Sequence, residues 1–390
     1  MEQLCRQMKR GGVTAGLEFL ADYLLQEQRY HELFDTRLMQ LRYRLGLPVI
    51  LSHSVDELPE PTRSDLEDGY LVACREIGAL FLSKDQPEEA WMYFRPTGEK
   101  GLVAEYLETC EIDEENLHAR IELALGEGVH PCLGYGWVLE HYGTCNAITA
   151  FESQIKSLPL RDQQKAAAQL IRHVHGELLG NVLGDIERRE GKAPEKVTLL
   201  SQLLPGRDEL FADQAYHIDT THLAATVRFA QLIEDRELLE LARDLTEYGR
   251  CLDSQYHFAG ESPFEDVYPT HALFFDAQLG LNIDEAIRYF QTKAQSCNIQ
   301  EQGTAAIEVY VVLLTRLKRW EEAMNRIGDW IGPKRRTTGF APSLWELAEK
   351  SGRYDLLQSI ARERQDLLTF TAGLAQSMTM ASNKDNETIA

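Results

Sequence analysis

Apolar residues recur at a helical period along almost the whole chain. Leu17, Leu20, Tyr23 and Leu24 mark one face, Leu33, Leu38, Leu41 and Leu45 the next, and the pattern runs on to Leu356, Leu357 and Ile360. Such spacing puts each set on one side of a 3.6-residue helix, and strand-like alternation is essentially missing. Prolines fall at candidate helix starts or between helices, as expected of a ring that breaks a helical hydrogen bond when placed inside a helix. These features predict an all-α fold. At 390 residues the chain exceeds the ~100–200 residues of one ordinary domain, so it is either two domains or an array that grows by stacking.

One segment points to stacking. In YLVACREIGALFLSKDQPEEAWMYF, residues 70–94, Gly78 and Ala90 are spaced to let two antiparallel helices approach, while Phe81 and Phe94 fill the space between them. The segment resembles a tetratricopeptide repeat. Weaker copies lie around Ala286 (IDEAIRYF), Ala323 (RWEEAMNRI) and Leu357 (GRYDLLQSI), with anchors 37 and 34 residues apart, close to that family's period. The resemblance implies stacked antiparallel helical hairpins, a TPR-like α-solenoid or toroid. The long connection at 46–65 and the polar C-terminal segment SMTMASNKDNETIA suggest a division into an N-terminal helical hairpin (1–46), a repeat array with a possible central site (65–376) and a disordered tail (377–390). The connections 46–65 and 251–269 are longer than most links between packed helices, and the second is rich in aromatic and acidic residues.

Charge narrows the partners. With 40 basic against 62 acidic residues the formal charge is −22, which argues against nucleic acid, since phosphate binding needs clustered Lys and Arg. So acidic a surface suits cations or basic partners. The longest aliphatic or aromatic run, VYVVLL at 309–314, is far short of a membrane span, and MEQLCRQMKRGG has no apolar signal core. Seven scattered cysteines without a CxxC pair suit free thiols in a reducing compartment, so a cytoplasmic location is expected.

Histidine carries the functional signal. Nine of the eleven histidines lie between His118 and His271. In AYHIDTTHLAATVRFAQ, residues 215–231, His217, Asp219 and His222 fall within six positions. Asp219 is a good N-cap for a helix running to about 233, with His222 at its third position; HIDTTH is not the HExxH metalloprotease helix, whose histidines are four apart. His130 precedes Pro131 at the mouth of a predicted helix 131–142, and His271 follows Pro269. If the helices that start near these histidines are parallel neighbours, His130, His217, His222 and His271 form a candidate divalent iron or zinc site. Tyr135 and Asp219 are then candidate catalytic residues, and Trp137, His257 and Glu261 candidate pocket residues. The bland alternative makes these same histidines caps and core hydrogen-bonders. On the predicted helix 162–190, His175 reads as a hydrogen-bonded core residue. Gly176, Gly180 and Gly184 form a small-residue stripe that predicts close packing of His173 and Glu177 against a neighbouring helix.

The run GEGVHPCLGYGWVLE resembles the His-Pro then Leu-Gly-Tyr segment of the questin oxidase-like family through His130, Pro131, Leu133, Gly134 and Tyr135. That family is all-helical and is linked to oxidative cleavage of aromatic polyketides, with non-heme iron in part of it. The resemblance implies His130 as a metal ligand. No GxSxG, GxxxxGK[ST] or GxGxxG signature occurs. Two expectations stand: a metal-dependent oxidoreductase such as an oxygenase, acting on a small molecule at a His/carboxylate site, or a non-catalytic TPR-like scaffold that binds a peptide or protein partner.

Overall fold

The computed structural model describes residues 1–50, 55–258, 260, 263–331 and 339–387, the side chains of 55 and 381–387 apart. The fold is all-α, 76% helical, with no strand among the described residues. The chain divides into two compact units, Met1–Ser157 and Leu158–Ala390. Among the described residues no helix is long and apolar enough to cross a membrane.

The first unit contains α1 (Glu2–Gln26), α2 (Tyr30–Arg44), α3 (Thr62–Leu82), α4 (Pro87–Phe94), α5 (Gly101–Thr109), α6 (Leu117–Ile121), α7 (Pro131–Trp137) and α8 (Gly143–Ser153). The hairpin expected to stand apart at 1–46 does not: Leu24, Tyr30 and Leu33 share one core with Ile77, Phe81 and Phe94, because α2 carries apolar side chains toward both α1 and α3. The close approach read from Gly78 is present, since a Cβ there would meet the Phe94 ring at 2.6 Å. The expected helix 131–142 is present as α7 (Pro131–Trp137) continued by a π-helical turn at Val138–Tyr142, and a second π-helical turn, Glu122–Gly126, precedes it. Gly143, at φ 82°, marks the turn into α8. Gly134 sits in a tight crossing, where a Cβ would fall 2.8 Å from the Leu125 amide nitrogen.

The second unit contains α9 (Leu160–Glu190), α10 (Thr220–Phe229), α11 (Arg236–Cys251), α12 (Val267–Gln278), α13 (Ile283–Ser296), α14 (Ile299–Gln302), α15 (Ala305–Arg316), α16 (Trp320–Trp330), α17 (Leu344–Ser351), α18 (Tyr354–Glu363) and α19 (Leu367–Glu387). From α11 onward each helix packs mainly on its neighbours in the chain, α14 apart. The long α9 buries Leu170, Ile171, Val174, Leu178, Val182 and Ile186, the stripe its periodicity predicts. Its glycines behave differently from expectation. A Cβ at Gly176, Gly180 or Gly184 would meet nothing within 4 Å, so the stripe is open, and His173 and Glu177 lie on the surface. The glycines sit on the side of α9 away from its buried leucines, which spacing alone could not settle.

Of the expected tail 377–390, residues 388–390 lie outside the described residues. α19 runs to Glu387, because nothing after Gly373 interrupts a helix and α18 holds its first half. Of the 251–269 connection, Glu261 lies outside the described residues.

Candidate functional site

Asp219 caps α10 as its sequence position requires. Its Oδ1 accepts from the Thr221 amide at 2.8 Å, the Thr221 hydroxyl at 2.6 Å and the His222 amide at 3.4 Å. The Thr221 hydroxyl, foremost among these contacts, holds the carboxyl below the usual carboxylate range. Oδ2 takes no hydrogen bond among the described residues. His222 follows at the third helical position, and its ring takes none either.

His217 stands just before the cap and joins three elements. Its backbone N–H donates to Tyr248 Oη at 2.8 Å, and its Nδ1 lies 2.9 Å from the same oxygen. The tyrosine hydroxyl, already accepting from the backbone, donates its proton to Nδ1. That leaves Nε2 protonated, facing Asp185 Oδ2 at 3.3 Å. Asp185 also accepts from Arg189 Nε at 2.6 Å and pairs with Arg188 at 3.2 Å. Burial pushes the Asp185 carboxyl up, but the hydrogen bonds from Arg189 and His217 outweigh it and leave the group below its ordinary value. Burial pushes the Tyr248 hydroxyl upward, so it stays protonated. Asn181 Nδ2 holds the His217 carbonyl at 2.8 Å. The chain Asp185–His217–Tyr248 therefore fixes the 215–219 segment between α9 and α11.

In front of this chain is a surface depression of about 380 Å³ lined by Asn181, Arg188, Tyr216, His217, Ile218 and Asp219. Tyr216 is 53% exposed and leans edge-on against Tyr256. The lining thus presents one aromatic ring, one unspent carboxylate oxygen and a guanidinium already paired to Asp185.

The other expected site residues lie elsewhere. His130, in the first unit, caps α7: its Nδ1 accepts from the Leu133 amide at 3.3 Å and its Nε2 is 3.0 Å from Glu108. Tyr135 is fully buried with its ring edge toward Phe151, and its hydroxyl finds no partner among the described residues. Trp137 packs in the apolar core of that unit. In the second unit His271 is buried on α12; Nδ1–H donates to the Val267 carbonyl at 2.6 Å and Nε2 faces the Gln231 amide. His257 bonds the Leu252 carbonyl at 3.1 Å and meets Tyr268 edge-on. Among the described residues no three His, Cys, Asp or Glu side chains stand together so as to hold a metal ion.

A second buried polar cluster matches the reading of His175 as a core residue. Asp244 accepts from His175 Nε2 at 2.8 Å and from the Leu200 and Ser201 amides at 2.6 and 2.8 Å. Asp185, Tyr248 and Asp244 escaped the reading of the sequence. The available signal was a carboxylate set within a buried apolar stripe, Asp185 between Val182 and Ile186, and Asp244 between Ala242 and Leu245.

Compared with models of known families, with curated proteins and with solved structures, the chain matches none.

Proposed function

We propose that the chain is a non-catalytic helical-repeat scaffold, TPR-like in build, that binds a basic peptide or protein segment. The observation that carries this reading is how the histidines are used. His130, His217 and His271 each spend both ring nitrogens on protein groups. A metal-dependent oxidoreductase with iron or zinc on these residues would have to take those nitrogens back. Doing so would leave the proton of the buried Tyr248 hydroxyl without its acceptor, at a cost of about 1–3 kcal/mol, and would take from the half-buried Gln231 amide its contact with His271. Packing of helices on their chain neighbours supports a repeat scaffold. The surplus of 62 acidic over 40 basic residues supports a cationic partner.

The grip is placed at the depression beside α10. Tyr216 offers a ring face to a Lys or Arg side chain, and Asp219 Oδ2 offers it a carboxylate oxygen. Fluorescence anisotropy with a labelled Lys/Arg-rich helical peptide tests this. Binding is expected to weaken with salt, and to weaken about three- to fivefold in Asp219→Asn, a change that keeps the cap and removes the charge. Equal binding of a Glu-rich peptide would remove the proposal. Stoichiometric iron or zinc in the purified protein, lost in His222→Ala, would restore the metalloenzyme.

A further inference from the structure

Neither carboxylate at the depression beside α10 has two oxygens to give. Asp185, behind the lining, has Oδ2 on Arg189 and His217 and Oδ1 on Arg188. Asp219 lines the depression itself, and its Oδ1 already accepts from the Thr221 amide at 2.8 Å, the Thr221 hydroxyl at 2.6 Å and the His222 amide at 3.4 Å. Oδ2 is the oxygen that remains. The same bonds cover two N–H groups in the first turn of α10, so the helix end offers a ligand a carboxylate oxygen in place of bare donors.

Asn181, on α9, supplies a second acceptor. Its Nδ2 is held on the His217 carbonyl at 2.8 Å, which fixes the sense of the amide and leaves Oδ1 free to accept. The acceptors in the lining are thus single oxygens on two separate residues, one on α9 and one at the cap of α10.

We infer, building on the basic-partner reading above, that this depression is a lysine site, taking an ammonium in preference to a guanidinium. The difference is one of donor geometry. A planar guanidinium delivers its fork best to both oxygens of one carboxylate, and here each carboxylate has at least one oxygen already spent. An ammonium carries three donors on a compact charge and turns freely about its last bond, so single oxygens from different residues serve it as well as a pair does. Tyr216, 53% exposed and edge-on to Tyr256 with ring centroids 5.1 Å apart, attracts either cation. It adds affinity and leaves the choice to the oxygens. Arg188, anchored on Asp185, repels both cations alike.

Fluorescence anisotropy at one ionic strength reads the preference, using two labelled helical peptides of equal length and charge, one with lysine and one with arginine at every basic position. The lysine peptide is expected to bind about three- to fivefold more tightly. That ratio should fall to about one in Asp219→Asn, whose outward group is an amide donor, with far-UV circular dichroism unchanged. Tyr216→Ala should weaken both peptides by a similar factor and keep the ratio. A third peptide carrying trimethyl-lysine keeps the charge but has no N–H to donate, so it should bind no better than the arginine peptide. An arginine peptide that binds as tightly as the lysine peptide overturns the lysine assignment and leaves the basic-partner reading in place, whereas a wild type that binds neither overturns both. A preference that survives Asp219→Asn, or a trimethylated peptide that binds as well as lysine, also overturns the assignment.

Discussion

His271 shows how far one residue's environment can commit its chemistry. It is 5% exposed on α12, and burial, with a smaller opposing effect from the Val267 carbonyl, holds its imidazole down at about 4 against an ordinary 6.5. The unfolded chain binds this proton near pH 6.5 and the folded chain only near 4. Stability from the neutral ring is therefore complete above about pH 6.5 and is lost as the pH falls toward 4. The loss amounts to at most roughly 3 kcal/mol. Denaturant melts at pH 7, 5.5 and 4.5 should show that decline, and His271→Gln should flatten it; an equal decline in the variant would place the titration elsewhere. At this scale the sequence yields what is local. Asp219 as a cap could be read because capping involves residues two and three positions away. The partners of His217 could not, because Tyr248 and Asp185 lie 31 and 32 positions away and only the packing of α9 and α11 brings them together.

Elements were legible where periodicity is strong, and their orientation was not. The buried stripe of α9 follows from spacing, and so does the approach of Gly78 to Phe94. The Gly176, Gly180 and Gly184 series has equally regular spacing, yet it faces open space. Regular spacing says that residues share a face and is silent on what that face meets. The consequence has a definite sign. Gly180→Ala should stabilise the protein by about 0.5–1 kcal/mol, since alanine gains helix propensity and its methyl touches nothing. A lowered melting temperature would show that the stripe is covered after all.

For the whole molecule, the division at Ser157/Leu158 replaces the expected separation of a hairpin from one continuous array. Each unit has its own buried residues, such as Phe81 and Phe94 in the first and Phe274, Phe275 and Phe290 in the second. Fragments 1–157 and 158–390 should each give a helical spectrum and a cooperative melt when expressed alone. A fragment that stays unfolded would make that unit dependent on the other. Periodicity anticipated the helical class, but a boundary depends on which helices share a core, and α2 joins α1 to α3 through side chains that look like any other amphipathic pair. The order of packing also has a bearing on synthesis. Because helices in the first unit close mainly on their chain neighbours, little loop entropy separates emergence of a hairpin from its burial. The ribosome, adding about 5–20 residues per second, takes ten seconds or more over the second unit. The first can therefore reach its native core while most of the chain is still untranslated, and its apolar faces are shielded before the second unit's exist to mispair with them.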